Sequence, residues 1–238
     1  MRAVLFRPIR YAHDTVKKFE ENGFSAVNVP MIEILPNDAR VRDAHFTILT
    51  SQTSARIAVE KELLRGEIIA IGPKTAEIIE NTGKKALIPS RYDSRTLYHE
   101  FRDALQGKRV NLLRSDRGDP VLNRLSEVCD LEEYILYSIK ILDGEKQKEI
   151  VREVLAGKFD AVIFTSSMIV EGFMSNLESR HNLSEVIKRF EDVHVIAIGN
   201  PTAKKLEKYG IKAHVPSEYT LDGVINFLKN LRQDVTEI

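Results

Sequence analysis

The sequence predicts an α/β protein made of two doubly wound, flavodoxin-like parallel-sheet domains joined by a two-stranded linker. Three observations carry this expectation. Short apolar, β-branched runs alternate with helical periodicity along the 238 residues. The runs are more numerous than one sheet of ordinary size holds. The motifs at their ends occur twice.

In order, the runs are AVLF, SAVNV, FTILT, EIIAI, KALI, RVNLL, DAVIFT, VHVIAI and KAHV. Stretches with apolar residues three or four apart lie between and after them, as in Ile57, Val59, Leu63 and Leu64, or Leu221, Val224, Ile225, Leu228 and Leu231. That spacing puts the apolar side chains on one helical face. Strands that alternate with helices imply parallel sheets covered on both faces.

The chain also repeats itself. AIGPKTA returns as AIGNPTA, LIPSRY as HVPSEY, and ILTSQTSA as IFTSSMIV. The first two pairs share one offset. The third has a shorter one, and a single insertion of about a dozen residues around SRHNLSEVIKRF reconciles them. Each half therefore reads strand, Thr-Ser turn, helix, strand, Gly-x-x-Thr turn, helix, strand, Pro-Ser turn. Two segments fall outside the repeat, PMIEILP (30–36) and YILYSIKIL (134–142), and both read as extended connecting strands that pair as a hinge. The division that follows is a discontinuous first domain, 1–35 plus 143–238, and a second domain, 36–136.

Composition narrows the partners. Lys plus Arg equals Asp plus Glu at 35 each, so no net field favours nucleic acid or an anionic membrane surface. A single cysteine, Cys129, forms no internal disulfide and has no flanking pattern of an activated thiol. The six histidines, His13, His45, His99, His181, His194 and His214, include no pair at metal-ligand spacing. No apolar run approaches a membrane span, and the start MRAVLFRP lacks a signal-peptide core. The expectation is a cytoplasmic monomer without metal or cofactor.

In a parallel α/β sheet, ligands sit beyond the carboxyl ends of the strands, and all the repeated motifs occupy that place. At Gly72 and Gly199 the missing side chain lets backbone approach a ligand. Thr75 and Thr202 can cap the next helix or donate a hydroxyl. Free N–H groups at such helix starts favour carboxylates and phosphates. Ordinary turn chemistry explains one copy equally well, but the duplication points to a shared cleft. GPKT is not a Walker loop, because Pro73 separates Gly72 from Lys74 and Gly66 precedes the strand. Lys74 occurs in only one copy.

Thr50-Ser51 and Thr165-Ser166 end strands with small hydroxyls, suited to an acidic ligand or to plain N-capping. Arg7 and Arg114 each close a strand with a guanidinium able to hold a carboxylate in a forked pair. Tyr137, on the second connector, would lie near the mouth of the cleft, where a phenol can give a proton or a hydrogen bond to a leaving oxygen. Packing against the hinge is its plainer role. Asp116, Arg117 and Asp119 read as capping or solvating a helix that begins near Pro120.

Taken in order, LFRP, LTSQTSA, AIGPKTA, LLRSDRGD, YILYSI, VIFTSSMIV and AIGNPTA resemble the uroporphyrinogen-III synthase family over nearly the whole chain. The resemblance implies two α/β domains on a two-stranded linker, the first assembled from both chain ends. It also implies conversion of a linear tetrapyrrole, hydroxymethylbilane, to uroporphyrinogen III without a cofactor. By position, Tyr137 matches the family tyrosine that assists loss of the substrate hydroxyl. Thr75, Thr202, Ser51 and Ser166 match cleft positions, and backbone N–H groups would hold most of the polycarboxylate. LSEVCDLEEY departs from the pattern by lacking a glycine before the next strand. Two other classes stay open on the residues alone: a sensor that closes on an anionic metabolite, and a two-domain sugar transferase with a nucleotide site.

Overall fold

A computed structural model describes residues 1–177 and 183–234. His181 and the first residues of the inserted stretch lie outside the described residues. In chain order the elements are β1 (Arg2–Leu5), α1 (Ala12–Glu21), β2 (Ser25–Asn28), β3 (Ile32–Pro36), β4 (Phe46–Leu49), α2 (Gln52–Glu60), β5 (Glu67–Ala70), α3 (Pro73–Glu80) and β6 (Ala86–Leu87). Then follow α4 (Ser94–Phe101), β7 (Arg109–Ser115), β8 (Asp130–Ile141), α5 (Glu145–Leu155), β9 (Ala161–Phe164), α6 (Ser167–Ser175), α7 (Leu183–Glu191), β10 (His194–Ala197), α8 (Asn200–Glu207) and α9 (Leu221–Asp234).

The chain divides into two compact units, Met1–Glu33 with Lys140–Ile238, and Ile34–Ile139. Both crossings fall within β3 and β8, which are neighbours in one sheet.

Among the described residues, the first unit holds a four-stranded sheet in the order β10-β9-β1-β2, with every ladder parallel. Its strands are apolar on both faces, and Ala3, Val4, Leu5 and Phe6 are all fully buried in succession. A parallel sheet covered on both sides requires such runs, since alternation would bury polar groups. On one face Leu5, Phe19, Ile163, Ile196 and Leu228 pack together. A separate aromatic group forms around Phe6, Phe164 and Phe173, with ring centroids 5.2 to 5.5 Å apart.

The second unit holds a sheet in the order β3-β8-β7-β4-β5-β6, with β8-β7-β4-β5-β6 parallel throughout. One cluster contains Ile48, Ile69 and Leu112, and the other Leu49, Ile68 and Leu113. Consecutive residues of β4, β5 and β7 thus point to opposite sides, as strand geometry dictates.

Several sequence expectations are corrected. KAHV forms only an isolated bridge, Ile196 to His214, because His214 alone reaches the edge strand β10. Leu63 and Leu64 lie beyond α2, which stops at Glu60: Glu62 takes a positive φ of 53° and the Leu63 N–H turns back to the Ala58 carbonyl. Pro120–Glu127 is a 3-10 rather than an α-helix, and Asp119 caps it through the Val121 N–H. Segment 134–142 lies largely in a strand that begins earlier. β8 runs twelve residues from Asp130 and pairs with β7 as far as Tyr137, across an irregularity after Arg114. Cys129 is core filler whose thiol meets the Leu125 carbonyl, and burial pushes that thiol up.

Two glycines separate backbone strain from lack of room. Gly66 and Gly83 have φ of +60° and +81°, but a Cβ at Gly66 would overlap the His45 carbonyl, whereas nothing lies within 4 Å at Gly83. Gly83→Ala should cost about 1–2 kcal/mol from the left-handed conformation alone. Gly66→Ala should cost clearly more in denaturant unfolding, and equal losses would refute the steric account.

Candidate active site

Within each unit the repeated turns are side by side. β4 and β5 are parallel neighbours, so Thr50-Ser51 and Ile71-Gly72 leave the same edge; β9 and β10 place Thr165-Ser166 beside Ile198-Gly199 in the same way. Each turn feeds a helix: α2 and α3 pack together, as do α6 and α8. β1 lies next to β9, and Arg7 follows it on that edge.

The glycine turns are built alike. Gly72 and Gly199 are the N-caps of α3 and α8, with φ of −179° and −170°, extended backbone that any residue adopts. Their smallness answers to a ring. A Cβ at Gly72 would come 3.0 Å from the Tyr92 Cβ, and one at Gly199 3.1 Å from the Tyr219 Cδ2. The close approach expected of a ligand is therefore made at the Cβ side by these tyrosines, which are themselves 61 % and 53 % exposed. Thr75 and Thr202 are buried third residues of their helices rather than caps. A glycine cap supplies no side-chain acceptor, but Pro73 and Pro201 carry no N–H and the Thr75 and Thr202 N–H groups turn back to the Gly72 and Gly199 carbonyls, which leaves the Lys74 and Asn200 N–H groups for an anion.

The Thr-Ser turns differ between the units. Ser166 caps α6 by accepting the Ile169 N–H at 3.3 Å. Ser51 caps α2 by accepting the Ser54 N–H at 3.0 Å, and Ser54 Oγ accepts the Ser51 N–H at 3.2 Å, closing a capping box. Ser51 Oγ also lies 3.0 Å from the Tyr137 hydroxyl. The Tyr137 ring packs among Leu49, Ala55, Leu113 and Leu136. Tyr137 is only 5 % exposed, so its phenol is held by its ring in the core and by its oxygen at the helix start.

The charged candidates separate clearly. Arg7 is half-buried, donates to Thr15 Oγ1 at 2.9 Å and stacks over Tyr11 at 4.8 Å. Burial pulls its guanidinium below the ordinary value, and Tyr11 opposes that shift. Lys74 is exposed, 3.8 Å from Glu77. Arg114 is not offered to a ligand: its side chain is 4 % exposed and engages Glu133 at 2.7 Å, the Asp119 carbonyl and Asn123. Its role is to tie β7 to β8 and to the loop before the 3-10 turn. Ser54, Tyr92 and Tyr219 were not singled out from sequence. The signals were the serine three residues after the cap and the tyrosine closing both Pro-Ser turns.

Among the described residues no group of three or more His, Cys, Asp or Glu could hold a metal ion, and no helix is long and apolar enough to cross a membrane. Arg114→Met should lower unfolding free energy by roughly 2–3 kcal/mol, somewhat under the cost of breaking a fully buried pair because Glu133 stays about a third exposed. A denaturant midpoint unchanged from wild type would return Arg114 to the list of ligand-binding candidates.

A sequence profile described as uroporphyrinogen-III synthase HemD matches residues 13–226. A protein of Archaeoglobus fulgidus, described as a candidate uroporphyrinogen-III synthase, is 41% identical over 97% of this chain and 99% of its own. A Chlorobaculum parvum uroporphyrinogen-III synthase is 26% identical over 92% of this chain and 94% of its own. In fold, the chain is similar to a mutant uroporphyrinogen III synthase of Thermus thermophilus, with TM-score 0.73, 19% identity and 100% of each chain covered. Likeness extends to the Helicobacter pylori enzyme at TM-score 0.60 and 17% identity, over 97% of this chain and 100% of that one. The profile match and the 41% relative together establish that the chain belongs to the uroporphyrinogen-III synthase family.

Proposed function

We propose that this chain closes hydroxymethylbilane into uroporphyrinogen III, with Tyr137 giving the proton that lets the substrate hydroxyl leave. The family's activity is a hydro-lyase step of tetrapyrrole biosynthesis. The observation that supports Tyr137 is its hydroxyl at 3.0 Å from the Ser51 cap of α2, at the carboxyl edge of the sheet. An oxygen tethered at a helix start sits where positive dipole eases build-up of negative charge.

The chemistry asks for little else. Loss of the hydroxyl as water leaves an electrophilic methylene conjugated with its pyrrole. Unaided, that carbon would attack the nearest free position and give the type I ring. To reach the type III isomer, the protein must hold the bilane so that the substituted carbon of the terminal pyrrole reacts first, through a spiro intermediate that reopens with that ring inverted. Orientation is the main contribution, and it needs many weak anchors rather than a strong acid-base pair.

The anchors we assign are the backbone and side chains at Thr50, Ser51, Gly72, Thr75, Thr165, Ser166, Gly199 and Thr202, with Arg7 and Lys74 as local cations. The N–H groups of the first two residues of four helices at strand carboxyl ends support this assignment, two each in α2 and α6 and one each in α3 and α8, where Pro73 and Pro201 supply none. Arg114 is left out because its donors are spent inside the unit.

Incubation with hydroxymethylbilane, followed by oxidation and separation of the isomers, should give mostly type III. Type I alone, or stoichiometric binding without turnover, would overturn the reading. Tyr137→Phe should slow turnover on the order of 100-fold, in the range of a lost general acid. An unchanged rate would remove Tyr137 from the mechanism while leaving the activity standing.

A further inference from the structure

Two serine hydroxyls and one phenol share a closed set of hydrogen bonds at the start of α2. Ser54 is fully buried. Its hydroxyl donates to the Ser51 carbonyl at 2.9 Å and accepts from the Ser51 N–H at 3.2 Å. Ser51 Oγ donates to Ser54 Oγ at 3.0 Å and accepts the Ser54 N–H at 3.0 Å. A hydroxyl has one proton and two lone pairs. With the Ser51 proton committed to Ser54, only a lone pair of Ser51 remains for the 3.0 Å contact with Tyr137. Tyr137 must then be the donor, and its proton is turned inward.

We propose that Ser54 is a positioning residue that sets the direction of the Tyr137–Ser51 hydrogen bond, keeping the phenol proton inward until a ligand oxygen draws it out. A second arrangement uses the same three oxygens without moving them. Ser54 Oγ–H keeps its bond to the Ser51 carbonyl, Ser51 Oγ–H turns from Ser54 Oγ to the Tyr137 oxygen, and the phenol proton points to the ligand. Ser54 Oγ tolerates the change because it still accepts the Ser51 N–H at 3.2 Å. Each hydroxyl in that chain polarises the next.

The proposal rests on the reading of Tyr137 as the acid. In the step it serves, the carbon–oxygen bond of the substrate breaks and its electron pair goes to oxygen. That oxygen takes the phenol proton and leaves as water. Tyr137 keeps the O–H pair as phenolate, facing the Ser51 hydroxyl, and the pyrrole nitrogen shares the positive charge on the methylene. The proton that the pyrrole later sheds on regaining aromaticity restores the phenol.

The other half of the molecule gives an internal comparison. Ser166 caps α6 as Ser51 caps α2, but the residue at the place of Ser54 is Ile169, which carries no hydroxyl. A cap needs only the first serine. The second occurs in the copy that touches the tyrosine.

The test is the phenol C–O stretch of Tyr137, isolated as the infrared difference between each protein and its own Tyr137→Phe counterpart, with ring-labelled tyrosine. A donating phenol absorbs at higher frequency than one that accepts. Ser54→Ala frees the Ser51 proton to turn to the phenol, so the band should move to lower frequency while the α2 cap, Ser54 N–H to Ser51 Oγ, is kept. Ser54→Cys, which fills the same space with a weak acceptor, should move it the same way and stands in if the alanine variant fails to fold. An unmoved band, or a shift to higher frequency, would overturn the proposal. Wild-type turnover by Tyr137→Phe would instead sink the reading of Tyr137 as acid, whatever the band does.

Discussion

The ladder between β1 and β9 is the joint on which the first unit depends. Its sheet order is β10-β9-β1-β2, so this pairing of Ala3, Val4 and Leu5 with Ala161, Val162 and Ile163 joins the strands from the two ends of the chain. Between them in sequence lie α1, β2, the whole of the other unit and α5. Closing so long a loop costs little more entropy than closing a shorter one, although contacts so remote in sequence slow folding. The crossings are pinned where they leave: the Leu142 N–H reaches the Met31 carbonyl at 3.0 Å, the Gln147 amide the Pro30 carbonyl at 2.9 Å, and the buried Asn176 amide the Leu142 carbonyl at 2.7 Å. Because each ladder of that sheet is parallel, the joint also fixes where the proposed anion-holding groups lie. Arg7, Thr165-Ser166 and Ile198-Gly199 are brought to one edge by register alone.

Much of this was legible because a parallel sheet writes its strands as unbroken apolar runs. Eight of the nine runs named from sequence lie on strands of a sheet. KAHV failed because an apolar, β-branched run states a propensity, while His214 meets β10 through a single bridge. Leu63 and Leu64 kept the helical spacing of α2 but not its backbone, since the turn at Glu62 brings Leu63 into the same core by another path. Periodicity records which side chains are buried, and only indirectly the backbone that buries them. Arg114 shows the converse. A guanidinium at a strand end reads as a ligand for carboxylates, and it is one, but the acid it meets is Glu133 of the adjacent strand.

Side chains that act through one another were the least legible. Gly72 and Gly199 could be placed at helix starts from sequence, yet the rings that need their smallness, Tyr92 and Tyr219, lie twenty residues further along each copy. Ser51 and Ser54 stand at capping-box spacing, but with serine in place of the usual glutamate or glutamine the pair does not announce itself. Their link to Tyr137 crosses 86 positions and exists only because β7 lies between β4 and β8 in the sheet.

That contact also bears on why one chain carries the same turns twice. Duplication repeats what backbone supplies: a parallel strand end, a helix start and free N–H groups for anions. It does not repeat what side chains supply. Where the first unit has Ile169 at the third helical position, the second has Ser54, and among the described residues it is the Ser51 cap, not the Ser166 cap, that lies against a phenol. On the reading proposed for Tyr137, a substrate with carboxylates along its whole length and a single hydroxyl to lose suits that division. Among the differences between the two halves, Ser54 and Tyr137 are the pair that bears on the phenol proton.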